Sequence, residues 1–293
     1  MRIVARSEPD GLLLFDPENV ILVELNKAEA ATLGYGGPFP GDVPAPRFMH
    51  IEITSRCNLS CKNCYVKPTS EEMSGEEIKR VLDEAAAMRV FQVALGGGEP
   101  FLREDVFDIA RHAVSLGLVV TATTNGTRVK DDSRLAMFKQ INVSYHGDLR
   151  VLERALDIVQ RHTKAGVNFT MSAGEVDALD DVVSLCRKRD IELLLMTLKP
   201  VDGNVEEQID PTQVLTTAKE LSRTGLKVAV DGLTCSKCLA AQHFVDLAAS
   251  GDIHPCSFIR RSMGNVRTDS LEKIWKKRAA FVPIHCPYGG KKE

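Results

Sequence analysis

Residues 50–65 read HIEITSRCNLSCKNCY. The first five alternate apolar and polar side chains, as a β-strand does. Directly behind them Cys57, Cys61 and Cys64 stand within eight residues. Three thiolates with three and two residues between them can wrap one side of a compact metal centre, and iron–sulfur clusters are commonly held this way. A cubane has about four irons, so three local cysteines leave one iron for a different ligand. The spacing alone also suits zinc, which needs a fourth ligand from elsewhere.

Downstream of this stretch, short apolar strands alternate with amphipathic helices. Residues 74–89 have helical spacing through Ile78, Val81, Leu82 and Ala85. Residues 91–95 form the next strand and 104–116 the next helix. Segments 118–123, 131–139, 141–145, 149–165, 167–172, 178–189 and 191–198 continue the pattern to six strand positions. Such alternation implies parallel βαβ units with both sheet faces covered. Right-handed crossovers curl six units into an α/β fold, a partial (β/α)6 TIM-like barrel. Its sites lie at the C-terminal ends of the strands, which is where the cysteine loop falls.

Upstream, apolar runs at 11–15 and 20–25 flank the turn-forming DPEN, which predicts a hairpin. Asn26 is placed to cap the short helix KAEAATLG. The segment GYGGPFPGDVPAP at 34–46 then packs four glycines and four prolines into thirteen residues, a connector. The expected organisation is an N-terminal hairpin–helix and connector at 1–47, the barrel at 48–205 and an extension at 206–293. At about 45 residues the N-terminal part is short for a complete recognition domain and suits a plug for the barrel's base.

Composition bounds the function. The chain has 293 residues, 44% hydrophobic and 26% charged, with 37 Lys+Arg against 40 Asp+Glu and a net charge of −3. These values exclude disordered, collagen-like and heptad-rod chains. They give no global attraction to a nucleic-acid backbone. No apolar run approaches the ~20 residues that cross a bilayer, and no secretory h-region is legible at the start. Cytoplasm is the expected compartment. Structural disulfides are rare there, so the eight cysteines call for another explanation.

Three more segments fall at successive strand exits. Gly96-Gly97-Gly98-Glu99-Pro100 follows the second strand, Thr124-Asn125-Gly126 the third, and Ser144 closes the fourth ahead of Tyr145, His146 and Gly147. Together with the cysteine loop, these segments resemble the CxxxCxxC, GGEP and TNG signatures of the radical S-adenosylmethionine (SAM) superfamily, over about residues 48–205. The resemblance implies that Cys57, Cys61 and Cys64 hold a [4Fe–4S] cluster whose open iron binds S-adenosylmethionine. It also implies reductive cleavage of that cofactor to a 5′-deoxyadenosyl radical, which removes a hydrogen atom from substrate. Glu99 is expected to accept from the cofactor's ammonium group, and Ser144 to lie near its ribose or carboxylate. The residue before the last motif cysteine is often aromatic in the family and is Asn63 here. Tyr65 joins Gly97, Gly98, Glu99, Asn125 and Ser144 in the expected cofactor-binding set. The sequence assigns no catalytic side chain; His146 is weighed for a substrate contact and set aside as incidental.

A second cysteine group stands near the C-terminus. Cys235 and Cys238 are followed by Cys256 after seventeen intervening residues and by Cys286 after twenty-nine more. By spacing alone this set fits zinc or a cubane equally. Cys238 and Cys256 frame CX12GX4C around Gly251, with Gly264-Asn265 and a short helix beyond. That series is similar to the SPASM or shortened twitch extension, which implies an auxiliary [4Fe–4S] cluster on Cys235, Cys238, Cys256 and Cys286. Cys186, in a helix-like segment, reads as a buried structural residue. The last 43 residues hold nine Lys+Arg against four Asp+Glu, including Arg260-Arg261 and Lys276-Lys277-Arg278. A solvated face is the reading preferred for them over an acidic ligand.

The functional expectation is a radical SAM enzyme that oxidises, crosslinks or otherwise matures a peptide or protein side chain. The alternative is oxidation or rearrangement of a small molecule in cofactor, tetrapyrrole or natural-product biosynthesis. An electron donor such as ferredoxin or flavodoxin is implied as partner; membrane and nucleic acid are not. A non-enzymatic zinc-binding interaction protein is the third reading. It leaves the GGEP and TNG strand exits unused.

Overall fold

A computed structural model describes residues 3–201, 203, 205–232, 238–283 and 286. The chain opens with an antiparallel meander, β1 (Val4–Glu8), β2 (Gly11–Asp16) and β3 (Ile21–Asn26). The sequence shows its hairpin but not β1. Asn26 then caps α1 (Lys27–Thr32) in a capping box: its side chain accepts from Ala28 N and Glu29 N, and Glu29 accepts from Asn26 N.

The barrel elements follow in order: β4 (Phe48–Thr54), α2 (Gly75–Ala87), β5 (Gln92–Gly97), α3 (Val106–Ser115) and β6 (Val119–Thr124). Next come β7 (Gln140–Ser144), α4 (Leu149–Val159), β8 (Lys164–Met171), α5 (Leu179–Arg189) and β9 (Glu192–Thr197). Between β6 and β7, where 131–139 suggests a helix, the chain makes only a 3-10 turn at Ser133–Met137.

Beyond the six expected strands lie α6 (Pro211–Arg223), β10 (Val228–Val230), β11 (Phe244–Leu247), β12 (Asp252–His254), β13 (Gly264–Asn265) and α7 (Leu271–Trp275). These strands do not form a separate sheet. The order is β10-β9-β8-β7-β6-β5-β4-β11-β12-β13, with β10 parallel to β9 and β11 parallel to β4. Within this sheet, among the described residues, β12 runs antiparallel to both β11 and β13. The C-terminal region therefore adds a strand to each edge of the barrel sheet.

Alternation sorts the strand residues between two faces. Val93, Leu95, Val120, Ile141, Val143, Val167, Phe169, Leu193 and Leu195 point outward and are buried under the helices. Each contributes about 1.5–3 kcal/mol by burial. Their inward neighbours Thr121, Thr123, Asn142 and Ser144 are polar and half-buried, so polar side chains line the lumen over β6 and β7.

The meander closes the other end. Phe15 stacks on Phe91, just before β5, with centroids 4.9 Å apart. Arg6 lies over the same ring and donates to Pro46 O and Arg89 O at 3.0 and 2.9 Å. Arg47, just before β4, donates to Glu8 at 2.7 Å. The meander plugs the N-terminal ends of the strands, opposite the cysteine loop.

Candidate metal centre

Cys57, Cys61 and Cys64 are free and exposed on the loop after β4. Glu72 fastens the root of this loop, accepting from Ser55 N at 2.7 Å, Ser55 Oγ at 2.8 Å and Thr54 Oγ1 at 3.0 Å. Partial burial would raise the Glu72 pKa, but these donors, Ser55 foremost, hold it below the ordinary range. The sequence gives no sign of this role.

The glycines of the GGEP segment serve the loop as much as any ligand. Gly98 N donates to Thr54 O at 2.8 Å and Glu99 N to Arg56 O at 2.9 Å. A Cβ on Gly98 would meet Arg56 O at 2.1 Å; one on Gly97, whose φ is +108°, would meet Thr54 O at 2.2 Å. Only glycine lets the two strand exits lie this close.

Glu99 is fully buried. It accepts from Thr124 Oγ1 at 2.8 Å, Asn125 N at 2.8 Å and Phe101 N at 3.1 Å. The carboxylate that the sequence offers as a partner for an ammonium group also holds the TNG turn. Burial drives its pKa up, although these hydrogen bonds oppose the shift. The turn in turn reaches the cysteines: Asn125 Nδ2 donates to Cys57 Sγ at 3.7 Å and Asn58 Oδ1 at 3.2 Å. From the end of β7, His146 Nδ1 comes within 3.8 Å of Cys61 Sγ. Cys57 also accepts from Leu59 N at 3.4 Å.

The donor set fits a cationic cluster. Burial raises the Cys61 pKa first, and the neighbouring Cys64 and Cys57 raise it further. As thiolates the three would repel one another, a charge that a bound cationic cluster would offset. Amide N–H groups meanwhile stand ready to stabilise the sulfur of Cys57.

Tyr65 turns away from the loop into the lumen. Its ring lies edge-on to His50 at 6.1 Å and to Phe258 at 5.0 Å. Burial pushes its pKa well above the ordinary value, and the nearby Asp246 and Glu52 add to this.

Beneath Tyr65 is an ionic cluster that the sequence analysis does not single out. His50 Nδ1 and Asp246 Oδ1 are 2.7 Å apart, and Ser257 Oγ donates to the same oxygen at 3.0 Å. Arg260 donates to Glu52 at 2.6 Å and to Asp246 at 3.1 Å. His254 Nδ1 stands 3.5 Å from the far oxygen of Asp246. Complete burial alone would raise the Asp246 pKa; His254 and His50 instead hold its carboxyl well below the usual range. His50, Glu52 and Asp246 have the ligand types of a metal site, but the Arg260 guanidinium already supplies the cation.

Of the second cysteine group, Cys235 lies outside the described residues. Cys238, Cys256 and Cys286 are free, half-buried and close enough to influence one another. Burial raises the Cys238 pKa, with Cys286 adding to it; burial raises Cys256, with Asp246 and Cys238 adding. Cys256 accepts from Phe258 N at 3.3 Å. Lys199, paired with Asp231, lies over the Phe258 ring at 5.0 Å; burial pulls its pKa down to about 8 against the pull of Cys256 and Cys286. Such a set of thiols around one basic side chain suits a thiolate-held cluster.

Two remaining sequence features resolve simply. Cys186 is fully buried and its pKa is pushed up to about 12, an inert packing thiol. The C-terminal cations are mostly paired: Arg260 as above, Lys276 with Glu272 at 2.8 Å, Lys277 with Asp269 at 3.2 Å, and Arg278 with Asp42. Among the described residues no helix is long and apolar enough to cross a membrane.

Comparison with known proteins agrees with this geometry. The Radical SAM superfamily model matches residues 51–149, and the SPASM iron-sulfur cluster-binding domain matches residues 238–284. The chain thus carries a radical SAM domain match in its barrel and a SPASM domain match in its C-terminal extension. Such domains carry [4Fe–4S] clusters and bind S-adenosylmethionine, and their proteins are oxidoreductase-type enzymes.

Among curated proteins, the AdoMet-dependent heme synthase of Methanosarcina barkeri is 25% identical over 83% of this chain and 86% of its own length. The mycofactocin maturase MftC of Mycobacterium ulcerans is 26% identical over 85% of this chain and 79% of its own. Streptococcus suis SuiB, solved with its precursor peptide SuiA, shares the fold with a TM-score of 0.73 at 16% identity, covering 93% of this chain and 87% of that one.

Proposed function

We propose that this enzyme matures a peptide or protein side chain by radical chemistry, with Cys57, Cys61 and Cys64 holding the cluster that binds S-adenosylmethionine. When bound, that pair supplies a 5′-deoxyadenosyl radical able to take a hydrogen atom from an unactivated C–H bond. The chain's own residues do the rest. Gly98 and Glu99 fasten the cysteine loop, Asn125 steadies Cys57, and the meander shuts the barrel's base so that access is from the strand ends. Cys238, Cys256 and Cys286, with Cys235, hold the auxiliary cluster. A reduced ferredoxin or flavodoxin supplies electrons.

The observation that carries the peptide reading is β3. It ends the N-terminal sheet with one side unpaired among the described residues, and Ile21 and Val23 are 53% and 44% exposed on it. An open apolar edge strand is the surface on which an extended peptide adds as a further strand. Mycofactocin maturases and the PqqA peptide cyclase of Rhodopseudomonas palustris, which is 25% identical over 80% of this chain, support the same reading. The heme synthases favour a tetrapyrrole instead.

Anaerobic incubation of the reconstituted enzyme with S-adenosylmethionine, reductant and any short peptide found encoded beside its gene tests this. A peptide mass shift accompanied by 5′-deoxyadenosine supports maturation. An unmodified peptide, together with decarboxylation of an added iron tetrapyrrole, would move the assignment to the alternative.

A further inference from the structure

Lys199 follows β9 and Asp231 follows β10, two parallel neighbours in the sheet. Their side chains form an ion pair at this edge, and Asp231 N is tied back to Leu195 O at 3.4 Å. Lys199 is only 8% exposed. An ammonium is strongly hydrated in water, and lysine is almost never buried unless something offsets its charge. The same pair in solvent would cost the fold less, so a buried position calls for a reason.

The surroundings of the ammonium supply one. Lys199 Nζ lies 5.0 Å from the centre of the Phe258 ring, and Phe258 N donates to Cys256 Sγ at 3.3 Å. Cys256 and Cys286 both favour the charged form of Lys199, against the burial that lowers its pKa. Asp246, which also acts on Cys256, is already offset by Arg260 at 3.1 Å and His50 at 2.7 Å. Lys199 is therefore the cation that faces the second cysteine group, and a thiolate-held cluster there would keep it protonated.

The reduction potential of an iron–sulfur cluster follows its net charge, the hydrogen bonds to its sulfurs and its exposure to solvent. A positive charge fixed nearby in a low dielectric favours the more negative, reduced state. We infer that Lys199 raises the reduction potential of the auxiliary cluster, with Phe258 as the platform that holds its ammonium beside Cys256 and Asp231 as the counter-charge that limits the effect. Lys199 acts through the cluster and is a positioning residue: it biases the site toward holding an electron rather than giving one up. The inference rests on the assignment of Cys235, Cys238, Cys256 and Cys286 to that cluster and is independent of the substrate.

The test is a redox titration followed by electron paramagnetic resonance. It uses the full-length chain, reconstituted anaerobically in the Cys57/Cys61/Cys64→Ala background so that the auxiliary cluster is read alone. Lys199→Met should lower the ratio of reduced to oxidised cluster at a fixed potential about tenfold, or about 59 mV for one electron. Lys199→Arg keeps the charge and should stay within about twofold of the parent. Asp231→Asn removes the opposing charge and should raise the ratio. That opposition separates charge from structure: both substitutions break the same ion pair, so a merely structural role moves both potentials in one direction.

A Lys199→Met ratio within about twofold of the parent would overturn the inference. So would shifts of the same sign in Lys199→Met and Asp231→Asn, or a Lys199→Arg ratio as low as that of Lys199→Met. Should Lys199→Met fail to load iron, Asp231→Asn decides alone: a raised ratio supports the charge effect, and an unchanged or lowered one contradicts it. A parent without iron and sulfide would instead strike at the cluster assignment, and the inference would fall with it.

Discussion

Tyr65, one residue past Cys64, and Phe258, two residues past Cys256, meet edge-on with ring centroids 5.0 Å apart. The two cysteine groups, 192 positions apart between Cys64 and Cys256 in sequence, are thus joined by one aromatic contact. The His50–Asp246–Ser257 and Glu52–Arg260 bonds lie beneath it. The barrel and its extension are packed together at this point.

Phe258→Ala removes that contact and the surface under Lys199. A buried Phe→Ala change costs about 3–5 kcal/mol; half-buried Phe258 should cost about 2 kcal/mol. Phe258→Leu should recover most of it. Denaturant melts measure both, and iron analysis should show the Ala variant loading less metal.

Arg260→Ala leaves the buried Glu52 and Asp246 carboxylates without their shared cation. Breaking such a set costs about 3–5 kcal/mol. Arg261, next in sequence, is exposed and stacks on Phe281; its alanine variant should stay within about 0.5 kcal/mol of wild type. Equal effects of the two would contradict the buried network.

His50 gives a pH signature. Burial would lower its pKa, but Asp246 first and Glu52 next raise it above the ordinary histidine value, with Arg260 opposing. A raised folded pKa means extra stability that is complete below the unfolded value of about 6.5 and is lost as pH rises through the folded pKa. His254, also facing Asp246, is unchanged in the comparison. Thermal melts from about pH 6 to about pH 9 should show wild type losing its advantage over His50→Gln as pH rises.

Gly98→Ala should displace the cysteine loop, because its methyl would strike Arg56 O at 2.1 Å and Ser55 O at 2.9 Å. Both are main-chain atoms with little freedom to yield. Gly174→Ala meets nothing within 4 Å and serves as the control. Iron content after reconstitution should fall in the first variant and hold in the second.

Much of this was legible in residue order. The outward faces of β5 to β9 are runs of Val, Leu and Ile that mark strands whatever surrounds them. The strand exits carry short, ordered motifs. What stayed hidden depends on pairing across long distances. β1 is written VARSE, and its buried Arg6 and Glu8 pass for surface charges until each is seen bonded to the other at 2.5 Å. Arg260 likewise reads as part of a basic patch because its partners are 208 and 14 residues away. His50 and Glu52 did leave a signal: in a strand covered on its outer face, alternate charged residues must face a lumen. β11 is four residues long, and nothing in FVDL names the strand it joins.

The most direct test of two iron–sulfur sites in a SAM-cleaving enzyme is iron and acid-labile sulfide per chain, with 5′-deoxyadenosine formation, for wild type and the Cys57/Cys61/Cys64→Ala triple variant. Wild type should hold about eight irons with matching sulfide and form 5′-deoxyadenosine; the variant should hold about four and form none. Zinc without sulfide in wild type, or the same iron in both proteins, would contradict the account.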